Sequence, residues 1–124
     1  MKTVVYTAQA PAPIGPYSQA ILAGSTLYVS GQIALGQDGQ MVNESIEAET
    51  HQVMHNLSAI LQEAGMSFAH IVKCSIFVKD LNHFQAINEV YGGYFEAQPP
   101  ARETVEVSRL PKDVRVEISC IAVK

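Results

Sequence analysis

Apolar residues spaced three and four positions apart mark the longest helix expected in this 124-residue chain. They would form one stripe along the helix, made up of Val53, Leu57, Ile60, Leu61 and Ala64. Ser45 precedes the pattern and can cap the helix, and Gly65 follows it, as glycine often does just beyond a helix end. A helix with a single apolar stripe of this kind packs that stripe against a sheet.

Shorter apolar runs predict the rest of the fold. A second helix is expected from about Leu81 to Phe95, with a last turn weakened by Gly92-Gly93. Strands are expected at residues 2–7, 20–23, 26–30, 71–80, 104–107 and 114–119. The order β-β-β-α-β-α-β-β predicts an α+β fold, with one mixed sheet and both helices packed on one face, in a single domain spanning residues 1–124. The other face of the sheet would be left uncovered.

The last two of these runs, "TVEV" and "VRVEIS", flank "LPKD", which is typical of a hairpin or a short return connection. Alternate residues of a strand point to opposite faces, so each run has an apolar side and a polar side. We call the polar sides together the polar ribbon, which consists of Arg102, Thr104, Glu106, Arg115, Glu117 and Ser119. The ribbon is either the solvated face of an edge hairpin or the lining of a site, and the pattern alone leaves both open.

Composition favours an oligomer. Charged residues make up 16% of the chain and hydrophobic residues 48%, and a typical soluble domain has about 25% charged residues. A chain this poor in charge is expected to bury apolar surface between copies. The formal net charge of −4 provides no basic field for nucleic acid or an anionic membrane.

The chain is expected to be cytosolic. No run approaches the ~18 apolar residues of a membrane span, and "MKTVVYTAQAPAP" lacks the apolar core of a signal peptide. Cys74 and Cys120 both fall in predicted strands, where buried and reduced thiols are the usual finding.

Three features suggest chemistry but also have ordinary structural explanations. His51 and His55 are spaced like a helical pair of zinc ligands, yet Gln52 stands where a zinc protease needs glutamate and no third ligand is evident. They are expected to be surface histidines, with no metal site. Ser30 is expected to bond to local backbone rather than to act as a nucleophile. Tyr17, in the loop "IGPYSQ", is either a surface or packing ring or the wall of a small-ligand cleft.

The order and spacing of several stretches resemble the Rid family of reactive intermediate/imine deaminases, in its RidA subgroup. The resemblance covers nearly the whole chain. It is carried by "APIGPYSQ", "SGQI", "EAG", "IVKCSIFVKDL", "INEVY", "PAR", "VEVSRLPKDVRVEI" and "IAV".

The resemblance implies a chorismate-mutase-like fold that forms a homotrimer, with sheets inside, helices outside and a cleft at each subunit interface. The implied reaction is hydrolysis of enamine and imine intermediates, such as 2-aminoacrylate/2-iminopropanoate, that are released by pyridoxal-phosphate enzymes acting on serine or threonine. The products are a 2-keto acid and ammonia. No cofactor and no metal are implied, and the polar ribbon would line the site.

The resemblance also assigns residues position by position. Arg102 matches the arginine that binds the substrate carboxylate, and Glu117 matches the residue that holds and activates the attacking water. The other cleft positions are matched by Tyr17, Ser30, Gly31 and Asn88. Thr104 stands where close relatives often carry cysteine. If the family uses mainly the backbone at this position, a chain with threonine there should keep its activity. The substrate preference stays open.

Two other functions remain open at this stage. The first is a non-enzymatic trimer that binds small carboxylates such as 2-keto acids and reports them to a partner protein. That function needs Arg102 but not Glu117. The second is a ribonuclease or translation inhibitor, a label that some relatives carry, and the net charge of −4 argues against it.

Overall fold

One six-stranded sheet carries two helices in the computed structural model, which describes all 124 residues. The elements are β1 (Lys2–Val5), β2 (Ala20–Ala23), β3 (Thr26–Gln32), α1 (Ile46–Glu63), β4 (Ile71–Val78), α2 (Phe84–Gly92), β5 (Ala101–Glu106) and β6 (Val116–Val123). Their order along the chain is the predicted one. The α+β arrangement, a mixed sheet with two helices, is therefore confirmed.

The strands lie in the order β1-β2-β3-β6-β4-β5. All neighbours are antiparallel except β4 and β5, which are parallel. Of the two connections that the sequence allowed between the last two strands, the hairpin does not form, because β4 lies between them and pairs with both. The segment "LPKD" is therefore a return connection from the edge of the sheet to its interior. It bends through left-handed backbone at Lys112 and Asp113, both with φ of 56°.

Helix α1 begins and ends where the sequence predicts. The Ser45 hydroxyl accepts a hydrogen bond from the Ala48 amide at 3.0 Å, and such a cap contributes about 1 kcal/mol. Gly65, just past the helix, has a φ of +71°, a conformation that costs glycine little. Helix α2 is shorter than predicted. A 3-10 turn at Leu81–His83 precedes it, and it ends at Gly92, since the chain turns there instead of continuing to Phe95.

The core lies between the helices and one face of the sheet. It is formed by side chains with no exposed surface, among them Leu27, Val53, Leu57, Ile60, Ile76 and Ile118. The opposite sheet face has no cover within the chain and exposes Val4, Tyr28, Val105 and Val123. The uncovered face is thus as predicted. Neither helix combines the length and the hydropathy that a membrane span requires.

An ion pair between a buried glutamate and a partly buried arginine ties α1 to the start of β6. The Glu49 carboxylate, 1% exposed, accepts hydrogen bonds from the backbone amide and Nε of Arg115, each at 2.7 Å. Arg115 also donates to the Asn43 carbonyl at 3.0 Å. The sequence pattern placed Arg115 in the polar ribbon. Its partner on the helix instead gives it a structural role in fixing the strand that carries Glu117.

Candidate functional site

The polar ribbon is not one surface, because β4 separates β5 from β6 and sets their register. Arg102 lies beside Cys74, which in turn lies beside Cys120, so Arg102 is on the helix-covered face. Glu117 lies beside Phe77 on the opposite, uncovered face. The prediction that Arg102 and Glu117 share a sheet face was wrong. The polar side of β5 lies on the same sheet face as the apolar side of β6. The two strands are not direct neighbours, because β4 pairs with both.

Arg102 extends from the edge strand towards α2. Its Cζ atom lies 5.1 Å from the ring centroid of Tyr91 and 5.5 Å from that of Phe84. Distances of this size allow attraction between a cation and the ring face. Arg102 makes no ion pair, whereas Arg109 and Arg115 each bind a carboxylate. A partly buried guanidinium without an anion is suited to bind one from elsewhere.

Two more of the predicted site residues lie beside Arg102. Thr104 is two residues further along β5 on the same face, and its hydroxyl is buried without a hydrogen-bond partner. Asn88 is exposed on α2, four residues after Phe84 and three before Tyr91, so these three side chains share one side of the helix. We call Arg102, Phe84, Asn88, Tyr91 and Thr104 the arginine half-site.

Glu117 lines a cavity of about 380 Å³ on the other face of the sheet. We call it the glutamate half-site, and its lining consists of Ile14, Tyr17, Ser30, Gly31, Ile33, Pro111 and Glu117. Glu117 is its one ionisable carboxylate, and burial raises the pKa of that carboxyl above its usual value. A carboxylate with a raised pKa in a mostly apolar cavity is suited to accept a proton.

Gly31 leaves the space that the Glu117 side chain occupies. A Cβ atom on Gly31 would lie 2.5 Å from Glu117 Oε2 and 2.8 Å from its Cδ. Side chains do not tolerate such distances, so only glycine at this position allows the observed carboxylate position. The predicted role of Gly31 as a cleft residue thereby gains a specific physical basis.

Ser30 and Tyr17 also lie in the glutamate half-site. The Ser30 hydroxyl donates to the Ser18 carbonyl at 2.6 Å, so it ties β3 to the loop before β2, as the backbone-bonding alternative predicted. Tyr17 is half-exposed, and its hydroxyl accepts a long hydrogen bond of 3.4 Å from the Ile14 amide. Tyr17 is one of the residues that line the cavity.

Gln19 was not singled out from the sequence, yet it organises the loop that carries Tyr17. Its side chain is buried, accepts from the Thr7 amide at 2.7 Å, and donates to the carbonyls of Thr7, at 3.1 Å, and Pro11, at 2.9 Å. A proline-rich loop without regular structure needs side-chain partners for its backbone groups. The polar Gln19 next to the apolar start of β2 was the available signal.

His51 and His55 lie on the outer side of α1 and are both exposed, as predicted. Their rings are 6.2 Å apart, and His51 Nδ1 lies 2.6 Å from the Tyr94 hydroxyl. The chain contains no cluster of three or more histidine, cysteine, aspartate or glutamate side chains arranged to hold a metal ion.

The sequence profile of the family described as Endoribonuclease L-PSP matches residues 7–124, and the chain belongs to this family. A RutC family protein of Synechocystis is 52% identical over 123 residues, covering 97% of this chain and 95% of the relative. The 2-iminobutanoate/2-iminopropanoate deaminase of Capra hircus is 43% identical over 125 residues, covering 100% of this chain and 91% of the relative.

Solved structures agree with this assignment. The Rid family protein YyfA from Yersinia pestis has a TM-score of 0.97 at 46% identity, with each chain covered over 100% of its length. TdcF from E. coli, solved with bound serine, has a TM-score of 0.94 at 40% identity, with 98% of each chain covered. The predicted membership of the Rid family is confirmed, and the family includes proteins named as imine deaminases.

Proposed function

We propose that this protein is a 2-iminobutanoate/2-iminopropanoate deaminase, which hydrolyses reactive enamine/imine intermediates to 2-keto acids and ammonia. The observation that carries the proposal is Arg102, a partly buried arginine beside two aromatic rings with no carboxylate from its own chain. An α-imino acid supplies one planar carboxylate, which a guanidinium binds through two parallel hydrogen bonds. The deaminase named among the relatives acts on substrates of this kind.

In the proposed reaction Glu117 supplies the proton transfers. Its carboxylate accepts a proton from water as the water oxygen bonds to the C=N carbon, and the C=N electron pair moves to nitrogen, which is then protonated. The resulting carbinolamine expels ammonia and forms the C=O bond of the 2-keto acid. The raised pKa of Glu117 suits a group that must both accept and return a proton. The proposed reaction uses no metal and no cofactor.

We further propose that the site is completed between copies of the chain in a homotrimer. Arg102 and Glu117 belong to opposite faces of the sheet, so one substrate can touch both only if they come from different subunits. The uncovered face that exposes Val4, Tyr28 and Val105 offers the apolar surface that subunit contacts bury. Tyr17, Ser30, Gly31, Asn88 and Thr104 would then line the substrate cleft. The protein would act in the cytoplasm, where Cys74 and Cys120 stay reduced.

The test is hydrolysis of 2-iminopropanoate or 2-iminobutanoate generated in situ, followed as loss of the imine with and without the protein. Arg102→Lys should lower kcat/KM by roughly 10²-fold, since a point charge cannot form the paired hydrogen bonds. Arg109→Lys is the matched control, because Arg109 is exposed and pairs only with Asp113. It should behave as the wild type.

Three other results would contradict the proposal, and each points to a different explanation. If 2-oxobutanoate binds in an Arg102-dependent manner but the imine decays at the rate of buffer alone, the protein is a carboxylate-binding regulator. If neither binding nor hydrolysis occurs, the arginine half-site has a different ligand. Equal kcat/KM for wild type and Arg102→Lys would mean that the substrate carboxylate is bound elsewhere.

A further inference from the structure

Helix α2 holds the side chain of Arg102 through two aromatic rings. Tyr91 is 4% exposed and Phe84 is 38% exposed, and the guanidinium Cζ lies within 5.5 Å of both ring centroids. The Arg102 side chain makes no hydrogen bond and no ion pair within the chain. Glu103, its neighbour along the strand, points to the opposite face and bonds Lys73 and Ser75.

We propose that Tyr91 and Phe84 are positioning residues that orient the Arg102 guanidinium for carboxylate binding. This inference rests on the proposed function insofar as it assigns Arg102 to the substrate carboxylate. A free arginine side chain loses much of its rotamer entropy when it binds a ligand. Rings that restrict it beforehand reduce the loss that accompanies binding, so they strengthen binding without touching the substrate.

Tyr91 is the more rigid of the two rings. It packs against Phe95 with ring centroids 4.8 Å apart, and its hydroxyl lies against the Cys74 thiol in the buried layer between α2 and β4. Burial raises the pKa of the Tyr91 hydroxyl, so the ring carries no charge near Arg102 at neutral pH. The hydroxyl has no hydrogen-bond partner of good geometry. The ring face, and not the hydroxyl, is therefore the part that acts on the arginine.

Variants of Tyr91 can separate the effect of the ring from the effect of the hydroxyl. Tyr91→Phe keeps the ring, so it should retain most of the affinity for 2-oxobutanoate that Tyr91→Leu loses. Tyr91→Leu removes the ring face and should raise KM, and the Kd for 2-oxobutanoate, by about three- to thirtyfold, the range expected for one lost cation–ring contact. The change in kcat should be smaller, because the ring does not reach the reacting atoms. Phe84→Leu should act in the same direction and, being at a more exposed position, does not threaten folding.

Phe68→Leu is the matched control for loss of an aromatic ring. Phe68 belongs to the same aromatic cluster, with its ring centroid 5.8 Å from that of Phe95, but it does not contact Arg102. Its variant should leave KM and Kd unchanged. In an Arg102→Lys background, Tyr91→Leu should add little further loss, since the two residues act through one interaction.

A spectroscopic measurement separates this inference from the proposed function. The Nε–H resonance of Arg102, assigned from its loss in Arg102→Lys, should be shifted by the neighbouring rings in the ligand-free wild type and in Tyr91→Phe. In Tyr91→Leu and Phe84→Leu it should move towards the value of a free arginine side chain. Unchanged Arg102 resonances in both leucine variants would overturn the inference. The resonances could move as expected although the wild type neither binds 2-oxobutanoate nor hydrolyses imine. In that case Tyr91 and Phe84 do orient the Arg102 guanidinium, and the proposed function is wrong.

Discussion

Gly31→Ala tests the geometry of the glutamate half-site through a single added methyl group. In the wild-type backbone the new Cβ would stand 2.5 Å from Glu117 Oε2, whereas ordinary contacts begin near 3.4 Å. The carboxylate oxygen must therefore retreat by about 1 Å. A displacement of that size in a catalytic group can cost about 10²-fold in rate. We expect kcat for imine hydrolysis to fall by roughly that factor, while 2-oxobutanoate still binds through Arg102.

The assay is imine hydrolysis under saturating substrate, with calorimetric titration of 2-oxobutanoate beside it. Gly92→Ala is the matched control, because a Cβ there meets no atom within 4 Å. It should leave kcat unchanged and stabilise the fold by up to about 1 kcal/mol through helix propensity. An undiminished kcat in Gly31→Ala would refute the assignment of the Glu117 carboxylate as the proton acceptor at its observed position.

Other measurements test the electrostatics of the chain. The kcat/KM for imine hydrolysis should rise with pH through a pKa above the usual glutamate value, because burial raises the pKa of Glu117 and the reaction needs its ionised form. A kcat/KM that does not change between pH 4 and 7 would contradict this prediction. Folding disfavours the charged form of Glu117, so the stability of the wild type relative to Glu117→Gln should decrease as pH rises from the unfolded pKa to the raised folded pKa. Below both pKa values the difference in stability should no longer change with pH. In urea unfolding at matched protein concentration, Glu49→Ala should cost about 3 kcal/mol because it leaves the Arg115 guanidinium without its carboxylate. Arg109→Ala, at an exposed pair, should cost far less.

Local patterns were enough to predict α1, the existence of α2 and the order of elements along the chain. The stripe from Val53 to Ala64 and the cap at Ser45 place α1 correctly, since both signals lie within a few residues of one another. The order of strands in the sheet is not local. The pattern around "LPKD" could not distinguish a hairpin from a return connection, because the deciding strand, β4, lies about thirty residues earlier in the chain and pairs with both strands.

The same non-local pairing explains what the sequence could predict of the site. The resemblance to the Rid family assigned carboxylate binding to Arg102 and water activation to Glu117, but the register set by Cys74 and Phe77 puts the two residues on opposite faces. The contacts that support them were also hidden. Tyr91 looked like one more apolar position on α2, and Glu49 looked like a first-turn acid. Their partners lie 11 and 66 residues further along the chain, at Arg102 and Arg115.

The most direct test of the central claim is complementation between two inactive variants. If Arg102 and Glu117 of one site come from different subunits, mixed trimers of Arg102→Lys and Glu117→Gln will contain sites in which both residues are wild type. Unfolding an equal mixture and refolding it should restore about a quarter of the wild-type imine hydrolase activity, given random assembly of a cyclic trimer. Each variant refolded alone should stay inactive. If the mixture is no more active than the separate variants, although mixed trimers have formed, Arg102 and Glu117 do not meet across an interface and the proposed site is wrong.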